Sequence, residues 1–361
     1  MYTPQRDDSG PIEAPLIPPV AQPRGLQFFG GTWTGRIILI NTFVFLITAY
    51  LSPDYGLFSV DLDVLKRFGA KDPVLIAQGQ YWRLITPMFI HGGFLHFALN
   101  NWALYVLGFQ LESLLSPYRY LLLYLLAGIG GSVASSVSSL MPSVGASGAL
   151  FGLLGCGFYV ERIVQARIKQ MTGYKPRTGA YTGMVVANIL FGFIIPQIDN
   201  AAHMGGLVVG VTFAYVLLRV KPNRLLPLQP TQGWLVAILL GISLFVGGAV
   251  GSSPRFVLYR LRTALENSQR VEDQYYYLNR LLEMDPEDQS AHLYRLKLAL
   301  RGRDFATAEI DLTYILDRQL FRTELKELEL DLLAHGLQPY AAWLQQKILE
   351  LESKNVESPS L

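Results

Sequence analysis

The sequence predicts an all-α chain: a polytopic membrane bundle of seven spans followed by a soluble helical-repeat region. Three observations predict it. Of 361 residues, 51% are hydrophobic and only 16% are charged, against about 25% charged in an average soluble domain. The charge is also split, because residues 30–251 hold 21 of the 58 charged side chains and residues 252–361 hold 32. Finally, the charge-poor part contains a series of uncharged stretches long enough to cross ~30 Å of hydrocarbon as helices. Net charge divides the same way, +7 for 30–251 and −4 for 252–361. No basic face gathers in the soluble part, so a nucleic-acid partner is not expected.

Residues 1–33 read as a disordered tail. The first 29 carry six prolines and no apolar core of a signal peptide. The uncharged stretches are Ile37–Ser52, Gly92–Leu111, Tyr120–Val160, Thr178–Ile198, Asn200–Leu218 and Leu225–Pro254. The third is twice the length one helix needs, and it breaks at Met141-Pro142-Ser143-Val144-Gly145, where proline cannot continue a helix. That makes seven spans, the last within 223–254. With the N-terminus inside, the inner segments carry twelve basic residues and the outer ones four, Lys66, Arg67, Lys71 and Arg83. The positive-inside rule therefore puts the N-terminus in the cytoplasm and the C-terminal region outside it. Tyr81-Trp82-Arg83 in the long first loop has, as one of two readings, an interfacial aromatic with a snorkelling arginine, the other being a functional role for the motif.

Residues 255–361 read as helical hairpins, broken at Asp285-Pro286, Arg301-Gly302-Arg303 and around Gly336. Asp285-Pro286 followed by Phe305-Ala306-Thr307-Ala308 resembles one tetratricopeptide repeat, a scaffold that binds protein partners. No catalytic group is expected there, so the region is expected to be dispensable for chemistry. The single cysteine, Cys156, lies among Leu153, Leu154 and Phe158 and reads as a small buried apolar residue; several-thiolate metal sites and intrachain disulfides are excluded.

Ionisable groups at membrane depth are costly and need a reason. The spans hold His91, His96 and His203, with Asn100 and Asn101 nearby. His96 and Asn100 are four apart and share a helical face. The fourth span opens Gly145-Ala146-Ser147-Gly148-Ala149-Leu150-Phe151-Gly152. Gly-x-Ser alone is a weak signal, and it recurs at Gly241-Ile242-Ser243. It gains weight from span six, where Gly206-x-x-x-Gly210 matches Gly148-x-x-x-Gly152 as a small-residue face for close helix approach. A Ser147–His203 hydrogen bond requires that approach, since both side chains are short against the usual 8–10 Å between helices. Ser147 also starts a helix, where unpaired N–H groups favour a developing oxyanion. His96 and Asn100 would add donors.

These residues resemble the rhomboid family of intramembrane serine proteases: His91-x-x-x-x-His96-x-x-x-Asn100, Gly145-x-Ser147-Gly148, Ala202-His203-x-x-Gly206, and Trp82-Arg83 in the first loop. The resemblance covers roughly 34–222. It implies a six-helix catalytic bundle, to which the seventh span is an addition. It implies Ser147 as nucleophile, His203 as general base, and an oxyanion hole of His96, Asn100 and the Ser147 N–H. Gly145, Gly148, Phe151 and Gly206 would support them, with Phe151 against the catalytic histidine. The implied substrates are single-span membrane proteins cut in or near the bilayer. The implied place is an integral position in a bacterial plasma (inner) membrane. The fifth span, with Gly179, Gly183, Gly192 and Pro196, would be the element that admits substrate.

Three other readings compete. A catalytically inactive relative would bind transmembrane segments without cutting them, though such relatives usually lack the serine or histidine. A proton-coupled transporter would explain the histidines but not the Gly-x-Ser-Gly start, and no inverted repeat is apparent. Zinc on His91, His96 and His203 lacks a His-Glu-x-x-His helix or a carboxylate ligand. No cofactor or metal is expected. Asp199, four residues before His203, invites a triad, but its place after Pro196-Gln197-Ile198 reads as a water-exposed loop, which favours a Ser–His dyad.

Overall fold

A computed structural model describes residues 30–53, 56–174, 179–195, 198–219, 229–230, 234–318 and 320–357. The expected proline-rich tail up to residue 29, Pro196, and the loop cations Lys175, Arg177, Lys221 and Arg224 lie outside the described residues.

Helix α1 (Trp33–Leu51) begins at Thr32, whose side chain accepts from Gly35 N. Its next free donors are met from far along the chain, because Glu112 accepts from Trp33 N (2.7 Å), Thr34 N (2.9 Å) and Thr34 Oγ1 (2.8 Å). A carboxylate at a helix N-terminus is favoured both as a cap and by the dipole. The first loop folds into α2 (Leu62–Phe68) and α3 (Pro73–Ala77), capped by Asp61 and Asp72. Arg83 is buried there. It donates to Gln80 Oε1, Lys66 O and Ala70 O while its guanidinium lies over the Trp82 ring. The snorkelling expectation is thus corrected: the arginine satisfies loop carbonyls and holds the loop together.

The expected second span is not one uniform helix. It runs as α4 (Phe94–Ala103), a π-helical turn at Leu104–Gly108, and α5 (Phe109–Leu115). Pro117 then starts α6 (Pro117–Ser138), and the Pro142 break separates it from α7 (Ser147–Thr172). Next come α8 (Ala180–Ile194), α9 (Asn200–Leu217) and α10 (Trp234–Gly251). Among the described residues the extended pairings are a two-residue antiparallel pair, β1 (Leu218–Arg219) with β2 (Gln229–Pro230), and an isolated antiparallel bridge between Lys71 and Ser143. Among the described residues, Trp33–Leu51, Pro117–Ser138 and Ser147–Gln170 are long and apolar enough to cross a membrane, and Ala180–Ile194 and Asn200–Val216 are shorter apolar helices. The bundle core gathers Leu104, Tyr120, Tyr124, Leu153, Cys156 and Phe213.

Six further helices form antiparallel hairpins: α11 (Pro254–Asn267), α12 (Val271–Met284), α13 (Gln289–Gly302), α14 (Phe305–Asp317), α15 (Arg322–Ala334) and α16 (Gln338–Glu357). Asp288 and Asp304 cap α13 and α14. Leu296, Leu300, Leu312, Ile315, Leu328 and Leu332 make their core.

Candidate active site

Three helices meet around Ser147 because their contact faces carry almost no side chains. A methyl group added at Gly206 would overlap the Gly148 carbonyl oxygen, and one at Gly210 would overlap that of Gly152. A Cβ at Gly148 would lie 3.4 Å from Ala202 O. The backbones of α7 and α9 therefore touch at the residues flanking Ser147 and His203. Helix α6 joins the same contact through Gly130 and Gly131, which belong to no motif named above. A Cβ at Gly131 would sit 2.8 Å from Ala202 O, and at Gly205, 2.5 Å from Gly130 O. The adjacent Gly130-Gly131 pair was the available signal, visible only when read against a partner helix.

On this scaffold Ser147 is the first residue of α7, which has no side-chain cap. The first helical N–H to find an intrahelical carbonyl is that of Leu150, which donates to Ala146 O. The earlier N–H groups are free for a ligand. His203, one turn into α9, stacks on Phe151 with ring centroids 4.0 Å apart and 16° between planes. Its Nδ1 is buried without a partner among the described residues. Ser147, His96 and His203 are all half-buried, open enough to meet a substrate yet shielded.

Gly145 has φ +123°, a left-handed conformation, and a Cβ there would come 2.6 Å from His96 Nε2. Both facts require glycine, and together they bring the His96 ring beside the start of α7. His96 meets His91 edge to face at 5.3 Å; His91 is fully buried. Asn100 is buried, and its Nδ2 donates to His96 O at 2.8 Å, which occupies one of its two amide protons. A cavity of about 20 Å³, roughly one water's worth, opens against Ser147, Gly148, Ala149, Gly145, Ser132 and Lys71. Burial pulls the Lys71 ammonium down to about 8, against the opposing pull of Asp199 and Asp72.

Asp199 corrects the loop expectation. It is half-buried and occupied: one carboxylate oxygen accepts from Ala202 N at 3.0 Å, capping α9, and the other accepts from Ser135 Oγ. Its carbonyl accepts from His203 N. The carboxylate thus fastens α9 to α6 rather than reaching the imidazole. Among the described residues, no group of three metal-ligating side chains comes together.

Apolar helices enclosing a serine at an uncapped helix start, with a ring-stacked histidine one helix away, define a helical membrane bundle with a buried polar site. Residues 78–220 match the family model described as Rhomboid domain. The chain is 42% identical over 159 residues to "Rhomboid protease GluP" of Bacillus subtilis (strain 168), covering 44% of this chain and 30% of that protein. It is 37% identical over 163 residues to "RHOMBOID-like protein 5" of Arabidopsis thaliana, covering 44% of this chain and 50% of the relative. To "Putative rhomboid protease YdcA" of Bacillus subtilis (strain 168) it is 33% identical over 151 residues, 41% of this chain and 73% of that protein. The chain belongs to the rhomboid family, a family of intramembrane proteases, and is an integral membrane protein. The chain spans 30% and 50% of the length of the first two relatives. The matched segment contains His96, Asn100, Ser147, Asp199 and His203 but not Lys71 or Asp72; it stops short of α10 and the C-terminal hairpins.

Proposed function

We propose that this chain is an intramembrane serine endopeptidase that cleaves single-span membrane proteins in or near the bilayer by a Ser147–His203 dyad. The observation that carries the reading is the glycine-only contact between α7 and α9 beside a serine whose helix start is unpaired. Small-residue faces also pack membrane helices by themselves; here the contact lies at the residues flanking Ser147 and His203. It makes sense where two short side chains must meet.

The chemistry follows from the groups present. An imidazole nitrogen of His203 takes the Ser147 Oγ proton as Oγ attacks the scissile carbonyl carbon. The carbonyl oxygen becomes an oxyanion, held by the Ser147 N–H, the His96 side chain and the second amide proton of Asn100. The imidazolium then protonates the leaving amine, and a water repeats the sequence to free the acyl group. The engaged Asp199 carboxylate and the orphaned His203 Nδ1 support a dyad without an orienting acid. Helix α8 is the proposed entry side. The catalytic bundle is taken as 34–222, with the N-terminus cytoplasmic and the tetratricopeptide-like hairpins outside a bacterial plasma membrane, available to a protein partner.

The test is cleavage of a panel of tagged single-span proteins in membranes, wild type against Ser147→Ala; equal cleavage by the variant refutes the assignment. Asn100→Ala should retain measurable activity, because losing one oxyanion donor costs roughly 3–4 kcal/mol at most.

A further inference from the structure

The C-terminal hairpins do not hang free of the bundle. Asp72, fully buried, accepts from Val74 N and Leu75 N as the cap of α3 and also from Arg280 Nη2 of α12, 208 residues away. Arg280 is itself buried and is held on its other side by Glu283. Around this pair, Gln78 Nε2 donates to Glu283 O (2.9 Å), Tyr276 Oη to Leu140 O (3.3 Å) and Arg260 Nη1 to Ser136 O (2.8 Å). Val74, Ala77 and Leu140 share an apolar cluster with Val257 and Leu261 of α11. The hairpins therefore grip two segments of the bundle, Asp72–Gln78 and Ser136–Leu140.

Those two segments lead directly to the site. Lys71 and Ser143 exchange both backbone hydrogen bonds at 2.9 Å, and Lys71 Nζ donates to Met141 O at 2.7 Å. Two residues on, Gly145 N donates to Pro87 O, and Ser147 follows. Lys71, Ser143, Gly145 and Ser147 line the same cavity. The first step of this path is a buried ion pair, and a buried charge that loses its partner is strongly disfavoured. The grip thus includes a buried pair that is costly to break, besides its exposed contacts.

We infer that the C-terminal hairpins are a working part of the catalytic unit, with Arg280 as a positioning residue that, through Asp72, fixes the Lys71–Ser143 pairing and hence the rim from which α7 starts. This rests on the protease reading above, and it replaces the expectation that the region is dispensable.

The experiment uses the full chain in proteoliposomes. Arg280→Met removes the charge while keeping an extended apolar stem, and Arg280→Lys restores a cation. Three quantities are read: turnover of a single-span substrate, the rate at which a fluorophosphonate labels Ser147, and amide exchange at 71–78 and 140–146. Arg280→Met should lower kcat about tenfold or more with KM within about twofold, and slow labelling in parallel. It should also speed exchange in both segments while 37–51 stays unchanged. Arg280→Lys should recover most of the loss. Should Arg280→Met fail to accumulate, Gln78→Ala with Tyr276→Phe loosens the same contact without stranding a buried charge and is read identically. The inference is overturned if exchange rises in 271–284, marking release, while 71–78, 140–146, labelling and turnover stay at wild-type values. It is equally overturned if neither variant loosens the two segments. A wild type that neither labels nor cleaves would instead defeat the protease reading, with exchange still judging the coupling.

Discussion

Helices α8 and α9 are neighbours in sequence and similar in length and apolarity, yet they are held in opposite ways. On α9, Gly206, Val209, Gly210, Phe213 and Ala214 are buried, and its glycines meet backbone on both α6 and α7. On α8, Gly192 alone is buried. That helix is fastened mainly at its ends. Glu161 accepts from Tyr181 N at the start, and Asn200 Nδ2 donates to Gly192 O near the finish. Interiors packed backbone to backbone do not deform cheaply, whereas an element with few buried contacts opens at low cost. The pair teaches that hydropathy marks a span without saying how closely its faces meet the other helices. The site residue sits on the fixed helix, and the proposed entry lies along the loose one.

The largest expected effect tests whether α9 carries chemistry at all. Ser147→Ala and His203→Ala should each cut turnover by ~10⁴ or more while the protein still inserts. The double variant should be no worse than either, since both act in one step. Unequal losses that multiply would separate the two residues. Next, Gly206→Ala forces a methyl group into the Gly148 carbonyl and should destabilise the bundle by about 1–3 kcal/mol, read as a lower thermal midpoint in detergent with turnover falling alongside. Unchanged stability would mean that the α7–α9 contact can relax.

Asp199→Asn keeps a side-chain oxygen for the Ala202 N–H and should leave turnover within roughly tenfold of wild type, about 1.4 kcal/mol in the barrier. A loss matching that of His203→Ala, with insertion and expression unchanged, would make it a member of a triad. The smallest effect belongs to α8. Gly183 has nothing within 4 Å of an added Cβ, so Gly183→Ala should change the thermal midpoint and turnover little, at most by the ~0.5–1 kcal/mol of its helix preference. A loss as large as that of Gly206→Ala would erase the distinction between the two helices.

Much of the site was legible because its signals are local. His96 and Asn100 share a face by spacing, Ser147 follows a proline break, and small residues recur at four-residue intervals on two spans. Periodicity reports which residues of one helix face the same way, and membrane cost singles out the polar ones among them. Other features were legible only in kind. Sequence position suggests an interfacial Arg83, whereas it satisfies three loop oxygens, and a solvated Asp199, whereas it caps α9 and binds Ser135. A polar residue next to a span looks the same in sequence whether water or backbone satisfies it.

By itself, then, the sequence determined that apolar helices precede a charged helical tail, and it supplied the residue types of the site, because these follow from transfer cost and helical repeat acting over a few turns. Only the tertiary structure decided which glycines touch, where the Asp199 carboxylate is engaged, and that Arg280 closes on Asp72 across 208 residues. Those outcomes depend on which surfaces meet, and a pairing between distant segments leaves no period or local motif in either of them.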